Sequence, residues 1–224
     1  MLVVVFGVGL LANAQLIRTE DLEKYAKDKY GDEWVEAAEN LGKELQLDKN
    51  QALTFVQVIE APGKSKSDLY VLLNYWYTSF FTDSKNVIDL NDKEAGVIIG
   101  KCYLDGVAEH VGGFMRYKVS ISPIIKCDIK DGKVRVTCTV PFYYAEKVVG
   151  GGWVGIAADV ETTKDDEIKE KWALDASYPF FAKDKHKKAS SKALIMSHAY
   201  SNVIMDKIEE SIKNGVSGNE NDDW

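Results

Sequence analysis

Glu109 and His110 stand side by side in a stretch from Asp105 to Gly113 that has glycines on both sides. A carboxylate beside an imidazole can carry a proton between substrate and water, or share a metal ion. This pair is the one place where the sequence points towards a hydrolase. Adjacent residues seldom converge on one substrate atom, so a solvated loop is the competing reading. His198 follows Ser197 in a helical segment, but helical neighbours point about 100° apart and make a poor base and nucleophile. His186 lies among lysines and reads as a surface residue. Cys102, Cys127 and Cys138 are odd in number and far apart, so neither a disulfide framework nor a zinc site is expected. No G-x-S-x-G elbow, no H-E-x-x-H helix and no phosphate loop ending in Lys-Ser or Lys-Thr occurs. Gly150-Gly151-Gly152 lacks the following lysine and capped helix start of a phosphate cradle and reads as a linker. Gly7-Val8-Gly9-Leu10-Leu11-Ala12 has dinucleotide-loop spacing, but the βαβ alternation that such a loop needs is missing. No catalytic, cofactor-binding or metal-ligating residue and no cofactor is therefore assigned.

The remaining candidates are four cations, Arg116, Lys118, Lys126 and Arg135, which alternation places on one polar face. Met115, Tyr117, Val119, Ile121, Ile125, Cys127 and Ile129 share one parity, and Arg116, Lys118, Ser120, Lys126 and Asp128 the other. Asp131-Gly132 is a hairpin signal, after which Val134, Val136, Cys138 and Val140 continue the apolar face. Pairing Ile129 with Val134 keeps every apolar residue on one side. The sheet then has one face under helices and one in water, and the four cations either form a ligand surface for an anionic ligand or acidic partner or belong to a solvated face whose charges keep the sheet soluble and discourage sheet-to-sheet association.

The elements that must position this face follow from spacing. Two amphipathic helices, or one kinked at Gly31, are expected over residues 19–46, then a strand from Leu53 to Ile59 and a turn at Pro62-Gly63. Ser65 and Asp68 form a capping-box pattern opening a helix to about Phe81. Four strands are expected at Val87–Leu90, Gly96–Leu104, Phe114–Ile129 and Lys133–Val140. A last helix starts near Ser190, with Ala193, Met196, Tyr200, Val203, Ile204, Ile208 and Ile212 on its apolar arc, and stops at Gly215. Helix, strand, helix, four strands, helix is an α+β order with one central antiparallel sheet.

With 224 residues, 46% of them hydrophobic, the chain can build a sizeable core. A net charge of -7 opposes a phosphate backbone, so nucleic acid is not an expected partner. No apolar run reaches the roughly 18 residues of a membrane span. The apolar run Leu2–Leu11 followed by Ala12-Asn13-Ala14 reads as a leader cleaved after Ala14, placing the protein in the periplasm or outside the cell.

The stretch Leu53–Val140 resembles an uncharacterised domain family with a TBP-like fold, found in exported proteins of Bacteroides-type bacteria. The resemblance rests on Val58-Ile59-Glu60-Ala61-Pro62-Gly63, the Leu69–Trp76 helix, Val87-Ile88-Asp89-Leu90, Asp92-Lys93-Glu94-Ala95-Gly96 and the Asp128–Val136 hairpin. It implies a β-α-β4-α unit with a curved antiparallel sheet covered on one face, and it implies no activity, since shape alone does not license DNA binding. The expected organisation is a leader over 1–14, a helical extension over 15–50, a TBP-like core over 51–143, a flexible insertion over 144–171, a C-terminal segment and helix over 172–214, and a disordered acidic tail over 215–224. The expected function is a binding or interaction module without catalysis, its partner an unknown ligand or envelope protein and its oligomeric state open. Two other readings stand beside it. One is an envelope hydrolase centred on Glu109 and His110; the other is a carrier holding a small apolar ligand among Trp76, Phe80, Tyr117 and Tyr200.

Overall fold

The computed structural model describes residues 16–81, 88–112, 115–149 and 168–215. The leader, the glycines at 150–152 and the tail beyond Gly215 lie outside the described residues. Helices α1 (Thr19–Tyr30) and α2 (Trp34–Glu44) are separate, and the chain turns between them at Gly31 with φ +87°, a conformation that costs glycine little. Strand β1 (Leu53–Glu60) leads into α3 (Lys66–Phe80). The capping box is present: the Ser65 hydroxyl accepts from the Asp68 amide, and the Asp68 carboxylate accepts from the Ser65 amide. Asp131 of the later hairpin adds a third tie, accepting from the Lys66 amide at 2.7 Å.

Eight strands follow: β2 (Ile88–Asp92), β3 (Val97–Lys101), β4 (Leu104–Gly112), β5 (Met115–Ile121), β6 (Ile124–Lys130), β7 (Lys133–Val140), β8 (Phe142–Val149) and β9 (Ile168–Ala173). A short 3-10 turn (Leu174–Ala176) and helix α4 (Lys187–Asn214) complete the described chain. All pairings are antiparallel, and Ile129 faces Val134 as the alternation requires.

The strands form two sheets rather than one. A five-stranded sheet has the order β1-β7-β6-β3-β2, and a four-stranded sheet the order β4-β5-β8-β9. Three strands pass from one sheet into the other, β3 into β4, β5 into β6 and β7 into β8, across breaks at Cys102–Tyr103, Ser122–Pro123 and Pro141. The expected single strand Phe114–Ile129 is thus two strands meeting at a corner. Proline has no amide to give the ladder, and Pro123 and Pro141 mark two of the three breaks. The corner is stitched by the Cys102 amide to the Pro123 carbonyl at 3.2 Å and by the Ser122 hydroxyl to the Cys102 carbonyl at 3.0 Å. Nor is the stretch 144–171 irregular at its ends, because β8 runs to Val149 and pairs with β9 from Ile168 onwards.

The helices lie on one side of this bent sheet. Helix α4 packs against α1, α2 and α3 and against β1, β4, β5 and β7. Its arc is buried as expected at Ala193, Met196, Tyr200, Ile204, Ile208 and Ile212, while Val203 is only partly covered. Ser191, Ser197 and Ser201 are also buried on α4, each returning its hydroxyl to the carbonyl four residues earlier. In the core below, Trp76 contacts Tyr77, Phe80 and Phe81 at ring separations of 5.1, 5.4 and 5.7 Å.

The segment Asp92–Gly96 is a turn with purely structural tasks. Asp92 accepts from the Ala95 amide through its side chain and from the Gly96 amide through its carbonyl, both at 2.9 Å. Gly96 has φ +72°, and a Cβ there would lie 2.7 Å from the Ile129 carbonyl oxygen. The Lys66 ammonium closes over the same turn, donating to the Glu94 carbonyl at 2.6 Å.

Candidate functional site

The side of the sheet away from the helices carries the four cations, two in each sheet. Lys126 on β6 and Arg135 on β7 flank Asp128, at 2.8 and 3.0 Å. Burial alone would raise the Asp128 pKa, but these two cations hold it below the usual carboxylate value. Past the corner, Arg116 meets Glu109 at 2.7 Å and Lys118 bonds to Asp105. Burial opposes ionisation of Asp105 as well, and the bonds from Lys118 and Ser120 outweigh it, so its pKa is lowered; the Gly106 amide in turn donates to the Ser120 hydroxyl. The expected anion-binding surface is therefore divided by a corner, with Lys126 and Arg135 sharing one carboxylate in the five-stranded sheet and two one-to-one pairs in the four-stranded sheet.

Glu109 and His110 are not in a loop; they belong to β4, where successive side chains take opposite faces. A bulge between Leu104 and Ala108, with Gly106 at φ +62°, accounts for the glycine that made the stretch look irregular. Glu109 faces out towards Arg116. His110 faces the helical side, where its ring lies 5.5 Å from His186 and 6.3 Å from Tyr117. The pair diverges and shares no substrate position.

On that helical side His110, Tyr117, Trp172 and His186 form an aromatic cluster at the start of α4. His186 stacks on Trp172 at 4.3 Å with an 8° tilt. Burial lowers the His186 pKa against the pull of Asp184. His198 lies elsewhere, stacked on Phe55 at 4.9 Å, with the Tyr30 hydroxyl 3.0 Å from its Nδ1. Asn202 donates to that hydroxyl at 2.9 Å, leaving its proton for the imidazole. Burial brings His198 down to about 4, so it is neutral at physiological pH.

The three thiols are free and buried. Tyr200 donates to Cys102 at 3.6 Å, and the Cys138 sulfur lies 3.2 Å from the Ser201 hydroxyl oxygen. Burial pushes Cys102 and Cys127 up to about 12 and Cys138 to about 11, so none is a nucleophile at neutral pH. Among the described residues no group of three or more His, Cys, Asp or Glu is placed to hold a metal ion. The four residues proposed to line an apolar ligand site fall in separate places. Trp76 and Phe80 pack together, Tyr117 lies in the histidine cluster, and Tyr200 reaches Cys102.

Sequence reasoning missed the aromatic side chains on the uncovered side of the four-stranded sheet. Tyr103 at the corner and Tyr144 on β8 border a groove of about 630 Å³ that also involves Asp105, Lys118, Glu146 and Lys169, and Phe142 packs on Tyr144 just outside it. The alternation Phe142, Tyr144, Glu146 was there to be read, but treating residue 144 as the start of an insertion cut it off.

Residues 55–144 match the family model described as a domain of unknown function (DUF4468) with TBP-like fold. A TBP-like protein from Parabacteroides distasonis ATCC 8503 is similar in structure over 74% of this chain and 96% of its own, with a TM-score of 0.50 and 10% identity. A DUF4468 family protein from Bacteroides ovatus ATCC 8483 is 16% identical, with a TM-score of 0.44 over 73% of this chain and 88% of its own. No curated protein matches. The fold is TBP-like and α+β, a curved antiparallel sheet with helices on one side and two further helices at the N-terminal end, as the resemblance in the sequence implied. Among the described residues no helix is long and apolar enough to cross a membrane.

Proposed function

We propose that this TBP-like chain is a binding module without chemistry of its own, and that its ligand or partner sits on the uncovered side of the bent sheet. The observation that carries this reading is the presence of large apolar side chains left in water on that side. Val56 is 57% exposed, Val58 54%, Tyr103 50% and Val111 71%. These residues sit among ion pairs, Arg116 with Glu109 and Lys118 with Asp105 one to one, and Asp128 shared by Lys126 and Arg135. Val56 and Val58 lie on β1, an edge strand of the five-stranded sheet, Tyr103 at the corner, and Val111 on β4, an edge strand of the four-stranded sheet; large apolar side chains left in water beside polar ones suit an interaction surface. The divergence of Glu109 and His110 leaves a hydrolase without a converging acid and base. The leader read over residues 1–14 places the module in the periplasm or outside the cell, and a mature mass beginning at Gln15 is the result that supports export.

Arrays of immobilised glycans and peptides, probed with the tagged full-length protein, test the binding side. The wild type should be retained on a discrete subset, and the double variant Val58→Ser, Tyr103→Ala should lose that subset while its melting temperature moves by no more than about 2 °C. Equal retention of the double variant contradicts the assignment.

A further inference from the structure

The groove on the uncovered side of the four-stranded sheet has a specific chemistry. Its floor is aromatic: Tyr103 meets Tyr144 edge to face at 6.1 Å and 63°, and Phe142, just outside the groove, braces Tyr144 at 4.8 Å and 70°. The Lys171 ammonium lies 4.5 Å over the Phe142 ring and fixes that end of the row. Tyr103 remains half exposed at the other end. The walls are charged but balanced, with Lys118 bonded to Asp105 and Lys169 3.5 Å from Glu146.

We propose that this groove takes a neutral oligosaccharide, an inference that rests on the reading of the uncovered side as the binding side. Three properties converge on that class. An aromatic floor suits the flat, C–H-rich face of a sugar ring, because tyrosine offers a rigid apolar plate with a polar end. Asp105 and Glu146 on the walls each already hold an ammonium, so a charged ligand would have to break one of these pairs to bind there. The same paired groups keep spare capacity: an ammonium has three N–H donors and a carboxylate several lone-pair positions, so donors and acceptors alternate along the wall as sugar hydroxyls require. The volume of about 630 Å³ lies within the range of small-ligand sites.

Calorimetric titration of the full-length protein with maltohexaose, cellohexaose, xylohexaose and N-acetylchitohexaose tests the class. At least one should bind saturably, about tenfold or more weaker to Tyr103→Ala and unchanged with Val71→Ser, an exposed position on α3 away from the groove. No saturable binding of any of the four up to about 5 mM overturns the inference, as does binding that Tyr103→Ala leaves intact. A heparin-derived sulfated hexasaccharide and a tyrosine-rich decapeptide, titrated in parallel, separate the two readings. Tyr103-dependent binding of either in place of the neutral sugars sinks the saccharide and leaves the uncovered side as the binding side. Silence from every probe, together with empty arrays, removes both.

Discussion

On strand β6, Ile125, Cys127 and Ile129 are sealed from water, while Lys126 and Asp128, between them on the same strand, form an ion pair in contact with it. The same contrast runs across the whole bent sheet. Its helical side is closed by α3 and α4, and the polar atoms there are mostly satisfied locally; the indole nitrogen of Trp76 and the hydroxyl of Ser190 are the buried exceptions. Its other side keeps valines and a tyrosine in water beside paired charges. One set of strands therefore supports two surfaces with different duties: stability resides on the covered side, and recognition, as we read it, on the other.

Substitutions on the two sides should differ most in magnitude. Trp76→Ala empties a fully buried site and should cost about 3–5 kcal/mol in chemical denaturation. Val58→Ser on the exposed side should stay within about 0.5 kcal/mol. Equal costs would break the division. Gly96→Ala comes next, because a side chain there meets both the left-handed backbone and the Ile129 carbonyl. A loss of about 1–3 kcal/mol is expected, and a neutral result would mean the turn is free to shift.

Acid should act on the covered side first. His198 is held to about 4 in the folded chain, against about 6.5 when exposed. Between those values the unfolded chain binds the proton and the folded chain does not, so stability falls as pH drops from about 6.5 towards 4 and levels off below. Above about 6.5 the group contributes no pH dependence. The lowered carboxylates Asp105 and Asp128 on the open side add a loss only at still lower pH, as pH falls through their folded pKa values. His198→Gln should flatten the upper limb of the profile in urea melts at stepped pH, and an unchanged limb would assign it to another group. The smallest expected change is Arg135→Ala. Its pair with Asp128 is solvent-screened and should contribute under about 1 kcal/mol, vanishing in high salt.

Much of the covered side was legible in the sequence, because burial writes a period. The β6–β7 hairpin could be registered residue by residue from its alternation and Asp131-Gly132, and α3 from Ser65 and Asp68. The corner was not legible for an equally physical reason. Ser122 and Pro123 interrupt the ladder by two residues, which preserves parity, so alternation runs through the break without a mark. Pro123 and Pro141 were its only signs. The open side was harder still. Its cations were correctly placed away from the apolar face, but their partners Glu109 and Asp105 come from a strand whose glycines read as a loop. The pair of Lys169 with Glu146 depends on β8 and β9 meeting across residues far apart in the chain.

The most direct test of the division is amide shift mapping of the isotopically labelled full-length chain. The hexasaccharides, the sulfated hexasaccharide and the decapeptide named above would be added in turn. The account predicts that the perturbed amides cluster on β1, β5, β7 and β8 and around Tyr103, with the exposed surfaces of α1 and α2 unmoved. Perturbations centred on those helices, or none with any probe, would contradict it.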